Sequence, residues 1–177
     1  NVLLFWTVND KCDTAIIEVS QGNKDSLSVI YRAYGKMIYS VAYQIVNNVS
    51  DAEDVLQDVM LNVVKYAHTY RQGTNPKAWI MSITRSCALD VVKKRINATP
   101  IDDLDYLSTD SGDNIDEMLA VREALNKLDE QDRMILNLKL HIGLSHKEIA
   151  SVMGINVFAV QKRYQRALSR FKKYYEE

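Results

Sequence analysis

The sequence predicts an all-α protein, and three observations support this fold class. Apolar residues recur at spacings of three and four along most of the chain, which is the period of an α-helix. No stretch alternates apolar and polar residues over the length of a strand. Glycine and proline, six and two of 177 residues, are scarce. With 47% hydrophobic residues, the chain can bury a core in one domain or in two small ones.

The overall net charge of −1 conceals segments of opposite sign. Residues 85–98 carry a net charge of +3, residues 99–132 carry −9 and residues 133–177 carry +6. Two basic segments separated by an acidic one are typical of a protein that binds nucleic acid.

The two cysteines indicate a reducing compartment. Cys12 and Cys87 lie 75 positions apart, without a CxxC motif or paired histidines, so we expect a cytoplasmic protein with no metal site. The apolar opening VLLFWTV is too short for a signal peptide or a membrane span. We therefore expect no direct insertion into a membrane.

The first elements are helices recognised by their apolar spacing. Residues 1–23 give little signal beyond a short helix near 14–20. The apolar pattern then predicts helices over 26–34 and 36–46, with Gly35 kinking the pair apart. These apolar positions are interpreted as the core of a helical bundle.

The next helix, DAEDVLQDVMLNVVKYA, is predicted to open with a capping box formed by Ser50 and Glu53. Its core-facing residues leave an opposite stripe consisting of Asp54, Gln57, Asp58 and Leu61. An apolar Leu61 within an acidic stripe favours a contact surface, and the alternative is an ordinary solvated face. A magnesium site at Asp54 and Asp58 is disfavoured because no facing carboxylates, histidine or phosphate loop would complete it.

A further helix begins after a polar loop. Asn75 is a plausible cap and Pro76 fits the first helical position, with the helix running to about residue 95. Its terminal KKR fits two interpretations, which the stretch leaves open. Basic residues offset the helix dipole at a carboxyl end, but together with Tyr70, Arg71 and Arg85 they also suit single-stranded DNA.

Residues 97–113 lack periodicity and are rich in Asp, Ser and Thr, which predicts a linker between domains at 1–96 and 114–177. Helices follow over 114–127 and 129–140, the second capped by Asp129. In LSHKEIASVMGINVFAVQKRYQRA, Ser145 and Glu148 have capping-box spacing, Gly154 suits a left-handed helix end, and Asn156 can cap another helix. Two short helices joined by a glycine turn, the second basic, predict a helix-turn-helix, with a solvated helical hairpin as the alternative.

In this order, the motifs closely resemble the extracytoplasmic-function sigma factors of the sigma-seventy superfamily. The resemblance covers about residues 24–96 and 117–172. DAEDVLQDVML resembles the helix that docks on the largest subunit of RNA polymerase. NPKAWIMSITRSCALD resembles the helix associated with promoter melting and minus-ten recognition. ALNKLDEQDRMILNLKLHIGLSHKEIASVMGINVFAVQKRYQRALSRF resembles the fourth sigma region, which reads the minus-thirty-five element.

The resemblance implies three groups of contacts, and a loop at 70–75 that holds a flipped base. The residues toward core RNA polymerase, through its largest and second-largest subunits, are Asp54, Gln57, Asp58 and Leu61. Those toward minus-ten DNA are Tyr70, Arg71, Asn75, Lys77, Arg85, Lys93, Lys94 and Arg95. Those toward minus-thirty-five DNA are Lys147, Phe158, Gln161, Lys162, Arg163, Gln165 and Arg166.

The implied partners are core polymerase, promoter DNA and an anti-sigma factor, with no cofactor, small-molecule substrate or catalytic role. The sequence departs from the family pattern at Asn156, Phe158, Ala159, Gln161 and Lys162, which predicts an unusual minus-thirty-five preference. Two other classes are weighed against this one. A free-standing helix-turn-helix regulator would bind duplex DNA without polymerase, and a metal-dependent all-α enzyme is disfavoured.

Overall fold

The computed structural model describes residues 2–98 and 115–176, and this part of the chain is helical with no strand. The all-α prediction is confirmed. Short 3-10 turns at Lys24–Ser26 and Ala67–Thr69 and a π-helical turn at Asn137–His141 supplement the helices. The helices are α1 (Val2–Ser20), α2 (Leu27–Val46), α3 (Val49–Tyr66), α4 (Pro76–Ala98), α5 (Ile115–Asn126), α6 (Glu130–Leu136), α7 (His146–Met153) and α8 (Val157–Glu176).

The chain divides into two compact units, residues 1–106 and 107–177. Residues 99–113 of the predicted linker lie outside the described residues, so its boundaries stay a prediction. In the first unit α2, α3 and α4 pack against one another, and α1 packs against all three. Their shared core is apolar and fully buried, and it includes Ile30, Ile38, Val55, Val59, Val63, Ile80 and Met81.

Helix α2 runs without a break, so the predicted kink at Gly35 is wrong. Gly35 is buried inside the helix, where a Cβ atom would lie 3.6 Å from the Tyr31 ring. A single glycine costs a helix only about 1 kcal/mol relative to alanine. Buried residues on both sides of it, such as Tyr34 and Ile38, keep the helix continuous.

Helix α1 is longer than the short helix predicted near residues 14–20. It spans Val2–Ser20 and buries a stripe consisting of Cys12, Ala15, Ile16 and Val19. This stripe has helical spacing, and its packing against α2 extends the helix beyond what the local pattern indicates.

The predicted Ser50–Glu53 capping box is wrong, because α3 begins earlier. Asn48 is the cap, and its Oδ1 accepts a hydrogen bond from the Asp51 N–H at 3.0 Å. Asn47 ends α2 in the left-handed conformation with φ of 50°. Asparagine is as favourable as serine at this position, so the turn uses two consecutive asparagines to connect α2 to α3.

The second unit is built around α8, which packs against α5, α6 and α7. Leu128, Leu136 and Ala167 are buried together, with Leu125 and Phe171 packed against them. Asp129 caps α6 as predicted, accepting from the Asp132 N–H at 2.8 Å.

The helix-turn-helix prediction is confirmed in its local details. Ser145 and Glu148 form the reciprocal capping box of α7. Gly154 ends α7 in the left-handed conformation with φ of 67°, where other residues are strained. Asn156 then accepts from the Ala159 N–H at 2.7 Å at the start of α8. The His146 and Tyr164 rings, 5.2 Å apart, pack α7 against α8.

Candidate polymerase and nucleic-acid interfaces

The predicted stripe on α3 is a real exposed surface. Asp54, Gln57, Asp58 and Leu61 are all exposed, and Leu61 exposes 68% of its surface. A large apolar side chain in this position is out of contact with the core of the unit, whereas Val55 and Val59 on the opposite face of α3 are fully buried.

An open groove of about 720 Å³ adjoins this stripe between α2 and α3. Gln57 and Leu61 line both the stripe and the groove, so the two form one surface. Its floor and walls are mostly apolar and consist of Leu27, Tyr31, Tyr39, Leu56 and Met60, with Gly35, Lys36 and Glu53. An apolar groove rimmed by acidic and polar groups has the composition of a protein-binding surface.

Tyr70 is not the exposed aromatic that the sequence predicts. It exposes 7% of its surface, and its ring lies 5.3 Å from the Trp79 ring at an angle of 60°. Its hydroxyl lies 2.5 Å from Asp13 Oδ1 on α1 and 3.0 Å from the Thr74 carbonyl oxygen. The ring is therefore occupied within the protein, and in this conformation it offers no face to a base.

Two basic residues predicted to contact DNA are also placed differently from what the sequence indicates. Lys77 exposes only 3% of its surface, so its ammonium group is turned away from solvent. Arg95 pairs with Asp51 and donates to the Val46 carbonyl oxygen at 3.1 Å. Its guanidinium thus joins the end of α4 to the α2–α3 turn, an arrangement that the local pattern KKR could not predict.

The remaining predicted minus-ten residues lie near the surface. Arg71 and Lys94 are exposed, and Arg85 is half-buried. Lys93 is exposed and lies 3.6 Å from Asp90. Asn75 is half-buried and caps α4 by accepting from the Lys77 N–H at 3.1 Å.

A second pocket, of about 370 Å³, opens between α3 and α4, and no motif in the sequence predicts it. Its lining combines aromatic rings, hydroxyls, an amide and a carboxylate, from Asn62, Tyr66, Trp79, Ser82, Ile83, Ser86, Cys87 and Asp90. On α4 these residues recur at helical spacing, from Trp79 through Ser86 to Asp90. That spacing could have indicated one face of α4, but the α3 residues are brought there only by tertiary packing.

The inner wall of this pocket is formed by a buried cysteine. Asn62 Nδ2 donates a hydrogen bond to Cys87 Sγ at 3.1 Å. Burial raises the pKa of the Cys87 thiol, against a smaller opposing effect of the Asn62 hydrogen bond. The sulfur therefore stays neutral, and the other polar groups of the lining belong to its two serines, Asn62, Asp90, Tyr66 and Trp79.

In the second unit, α8 presents most of the predicted recognition residues to solvent. Phe158 exposes 74% of its surface. The other exposed members are Gln161, Lys162, Gln165 and Arg166, with Lys147 exposed on α7. Val160, on the inner face of α8, is fully buried.

Arg163 is directed toward α6 rather than away from the protein. Its Nη1 atom lies 3.0 Å from Asp132 Oδ1 and 3.7 Å from Asp129 Oδ1. Arg166 and Arg170 approach the same Asp132 carboxylate at 3.7 and 3.9 Å. Since the Asp132 side chain is completely buried, its charge must be compensated by these arginines. Arg163 therefore connects α8 to α6, which differs from the contact with minus-thirty-five DNA that the resemblance implies.

The cap of α6 makes the stability of this unit sensitive to acid. Partial desolvation raises the pKa of Asp129, but hydrogen bonding from Asp132 and the charges of Arg163 and Arg166 outweigh it, so the pKa lies below its ordinary value. Because the pKa of Asp129 is lower in the folded protein than in the unfolded chain, its carboxylate stabilises the fold at pH values above the unfolded-state pKa. This stabilisation is lost as the pH falls through the folded-state pKa.

We therefore expect Asp129→Asn to flatten the dependence of unfolding free energy on pH below about 4. Asparagine keeps the helix cap, so the substitution removes the titrating carboxylate together with its attraction to Arg163 and Arg166. Denaturant unfolding of both proteins between pH 2 and 7 measures this. Parallel curves for the two proteins throughout that range would refute the assignment.

Within the described residues, no group of histidine, cysteine, aspartate and glutamate side chains is arranged to hold a metal ion. Among the same residues, no helix combines the length and the apolar character that crossing a membrane requires.

Two segments of the chain match models of known protein families. Residues 30–96 match sigma-70 region 2, and residues 118–171 match sigma-70 region 4. The fold is similar to that of CnrH in its complex with the cytosolic domain of CnrY, with a TM-score of 0.69 and 20% identity over 92% of this chain and 96% of that one. It is also similar to RpoE of Bartonella quintana, solved with the anti-sigma factor NepR, with a TM-score of 0.66 and 21% identity over 80% and 91% of the two chains. The two matched regions define a protein of the sigma-70 type.

The relatives narrow the class to one family. SigX of Bacillus subtilis, an ECF RNA polymerase sigma factor, is 26% identical over 86% of this chain and 85% of its own length. SigE of Mycolicibacterium smegmatis, another ECF factor, is 27% identical over 91% of this chain, which spans 66% of SigE. The chain belongs to the extracytoplasmic-function sigma factors. It is an alternative sigma factor of a family of non-catalytic transcription initiation factors, which bind core RNA polymerase and promoter DNA.

Proposed function

We propose that this sigma factor divides initiation among three surfaces. The α3 stripe with its groove binds core polymerase, the pocket between α3 and α4 captures an unpaired promoter base, and α8 reads the minus-thirty-five element. The observation that carries this proposal is the pocket beside the basic end of α4. A free-standing helix-turn-helix regulator would need neither this pocket nor the exposed Leu61, so that alternative is set aside.

The docking surface has the chemistry that a stable interface requires. Exposed Leu61 and the apolar groove provide area that loses water on binding, while Asp54 and Asp58 provide charge. Acidic groups at the edge of an interface select a basic partner and speed its association. By the family resemblance, this partner is the largest subunit of core polymerase.

The pocket between α3 and α4 suits a nucleobase. Tyr66 and Trp79 offer aromatic surface for stacking, and the hydroxyls of Ser82 and Ser86 can hydrogen-bond a base edge. Asp90 is an acceptor for an exocyclic amino group, which is present on adenine and cytosine. Extruding a base from the duplex costs a few kcal/mol, and these contacts would offset it. The proposed capture therefore moves from the loop at 70–75 itself to the pocket behind it.

The cations around this region would follow the DNA backbone. Arg71 and Lys94 are exposed, and Lys93 is exposed beside Asp90. Phosphate contacts release condensed counterions, so binding should weaken steeply as salt rises.

The base preference of α8 is the part of the proposal that depends on single residues. Gln161 is exposed, and glutamine pairs bidentately with adenine, whereas arginine pairs with guanine. We expect Gln161→Arg to change the preferred base at one minus-thirty-five position from adenine to guanine. Discrimination should change by about 1–3 kcal/mol, measured by transcription from a set of promoters varied at every minus-thirty-five position.

Ser169→Arg is the matched control for that substitution, because it adds the same charge at an exposed position further along α8. It should raise affinity for all sequences without altering their order. A wild-type preference identical to the family's common motif, or an unchanged order in Gln161→Arg, would contradict this assignment.

We further infer that the chain acts in the cytoplasm, without a cofactor, a small-molecule substrate or catalytic activity of its own. Its function is accounted for by binding surfaces alone. An anti-sigma factor, the kind of partner with which RpoE of Bartonella quintana was solved, is a proposed inhibitor. The apolar groove beside Tyr31, which exposes 53% of its surface, is the surface it would cover.

Mixing the protein with bacterial core polymerase tests the proposed function. The two should co-elute and together initiate from specific promoters, and the melted segment should include the minus-ten bases. Binding to duplex DNA without any association with core would favour the free-standing regulator instead.

A further inference from the structure

The N-terminal helix holds the loop that precedes α4 through a single carboxylate. Asp13 Oδ1 accepts a hydrogen bond from the Gly73 N–H at 3.0 Å and lies 2.5 Å from the Tyr70 hydroxyl. These two partners lie at the start and near the middle of the loop at 70–75. Asp13 is far from them in sequence and precedes the segment, residues 30–96, that matches sigma-70 region 2.

The Tyr70 hydroxyl has one hydrogen and two acceptors within reach. The Thr74 carbonyl oxygen is 3.0 Å away and the Asp13 carboxylate is 2.5 Å away. A charged acceptor at the shorter distance forms the stronger bond, so the hydrogen is directed to Asp13. Burial, followed by the bond to Asp13, raises the pKa of Tyr70, so the hydroxyl remains a neutral donor.

Tyr70 transmits this contact to the pocket. Its ring lies 5.3 Å from that of Trp79, and Trp79 forms part of the pocket wall. A continuous series of contacts therefore leads from the Asp13 carboxylate through the Tyr70 ring to the surface on which a base would stack.

Helix α1 is itself held firmly enough to act as a support. Its buried stripe, Cys12, Ala15, Ile16 and Val19, packs into the core. Asn9 Oδ1 accepts a hydrogen bond from the Tyr34 hydroxyl at 2.9 Å, which joins α1 to α2. Asp13 is thus presented to the loop from a fixed backbone.

Gly73 completes the arrangement. Its φ of +80° is strained for residues other than glycine, and a Cβ atom there would meet no atom within 4 Å. The glycine is therefore needed for its backbone conformation rather than for space. That conformation accompanies the alignment of its N–H with Asp13.

We propose that Asp13 is a positioning residue for base capture, which orients the loop at 70–75 and, through Tyr70, the Trp79 wall of the pocket. The proposal rests on the proposed function of that pocket. Asp13 touches neither DNA nor polymerase in this scheme, and its effect is confined to the step in which the unpaired base is bound.

The test uses the full chain reconstituted with core polymerase and forked promoter DNA whose minus-ten non-template strand is unpaired. Asp13→Ala should weaken binding of the fork about tenfold, since it leaves the Tyr70 hydroxyl and the Gly73 N–H without their shared acceptor. Asp13→Asn, which keeps an acceptor oxygen but no charge, should have a smaller effect. Asp10→Ala, which removes an exposed carboxylate from the same helix, should bind like wild type.

Further measurements separate positioning from general loss of structure. Co-elution with core and binding of a minus-thirty-five duplex should be unchanged in Asp13→Ala, while discrimination between bases at the captured position should decrease. Tyr70→Phe should weaken the fork complex as well. The double variant with Asp13→Ala and Tyr70→Phe should bind the fork more weakly than either single variant, but by less than the product of the two single effects, because both substitutions remove the same contact.

The outcomes are distinguishable. If the wild-type holoenzyme binds the forked promoter and the same promoter in fully paired form equally well, base capture and this inference are both overturned. If wild type prefers the fork and Asp13→Ala binds it normally, the inference alone is overturned. Equal losses of core binding, minus-thirty-five duplex binding and fork binding in Asp13→Ala would assign Asp13 a merely structural role. If Asp13→Ala does not fold, the same three measurements on Asp13→Asn and Tyr70→Phe distinguish positioning from a structural role.

Discussion

Replacing Asp58 with arginine is expected to abolish stable association with core RNA polymerase. The substitution changes the local charge by two units at the exposed stripe, next to Leu61 and the apolar groove. A cation placed against a basic partner surface costs several kcal/mol. We expect affinity for core to fall at least about 100-fold, since each 1.4 kcal/mol is a factor of ten.

Fluorescence anisotropy of the labelled protein titrated with core polymerase measures this loss. Asp10→Arg is the matched control, because it reverses an exposed carboxylate on α1, outside the stripe, and should bind core normally. Leu61→Ala should weaken binding by removing the apolar contact without any change of charge. A folded Asp58→Arg protein that binds core as tightly as wild type would show that polymerase docks elsewhere.

Filling the pocket between α3 and α4 is expected to block promoter opening after normal assembly of the holoenzyme. Ser86 lines the pocket and is exposed, so Ser86→Trp places a ring where the base would stack without replacing a core residue. Base stacking contributes about 1–3 kcal/mol, and we expect opening to fall about 10- to 100-fold.

Permanganate reactivity of unpaired thymines in the minus-ten region measures opening, and co-elution with core gives the internal reference. Ser20→Trp, which adds the same ring at the exposed end of α1, should open promoters normally. Unimpaired opening by Ser86→Trp would mean that the captured base enters another site. Loss of core binding in the same variant would mean that the ring disturbs the fold instead.

Local signals explain why much of the fold could be predicted. The Ser145–Glu148 capping box, the left-handed Gly154 and the Asn156 and Asp129 caps each depend on backbone groups within four residues. The exposed stripe on α3 was predictable for the same reason, because helical periodicity determines which residues share a face.

The errors arise where distant residues decide the outcome. Tyr70 is buried because Asp13 and Trp79 surround it, and Asp13 lies 57 positions away. Arg163 is drawn inward by Asp132, which is 31 positions away. A linear pattern assigns both side chains to solvent or DNA by residue type, whereas their contacts exist only after the helices pack. The pocket between α3 and α4 could not be predicted for the same reason, because its two walls meet only when the helices pack.

Transcription from a randomised promoter library by core polymerase with and without this protein tests the central claim most directly. The account predicts that the protein confers new start sites, each at a fixed distance from a shared pair of upstream elements, and that changing either element removes the transcript. Start sites identical to those of core polymerase alone, with the protein bound only to duplex DNA, would contradict it.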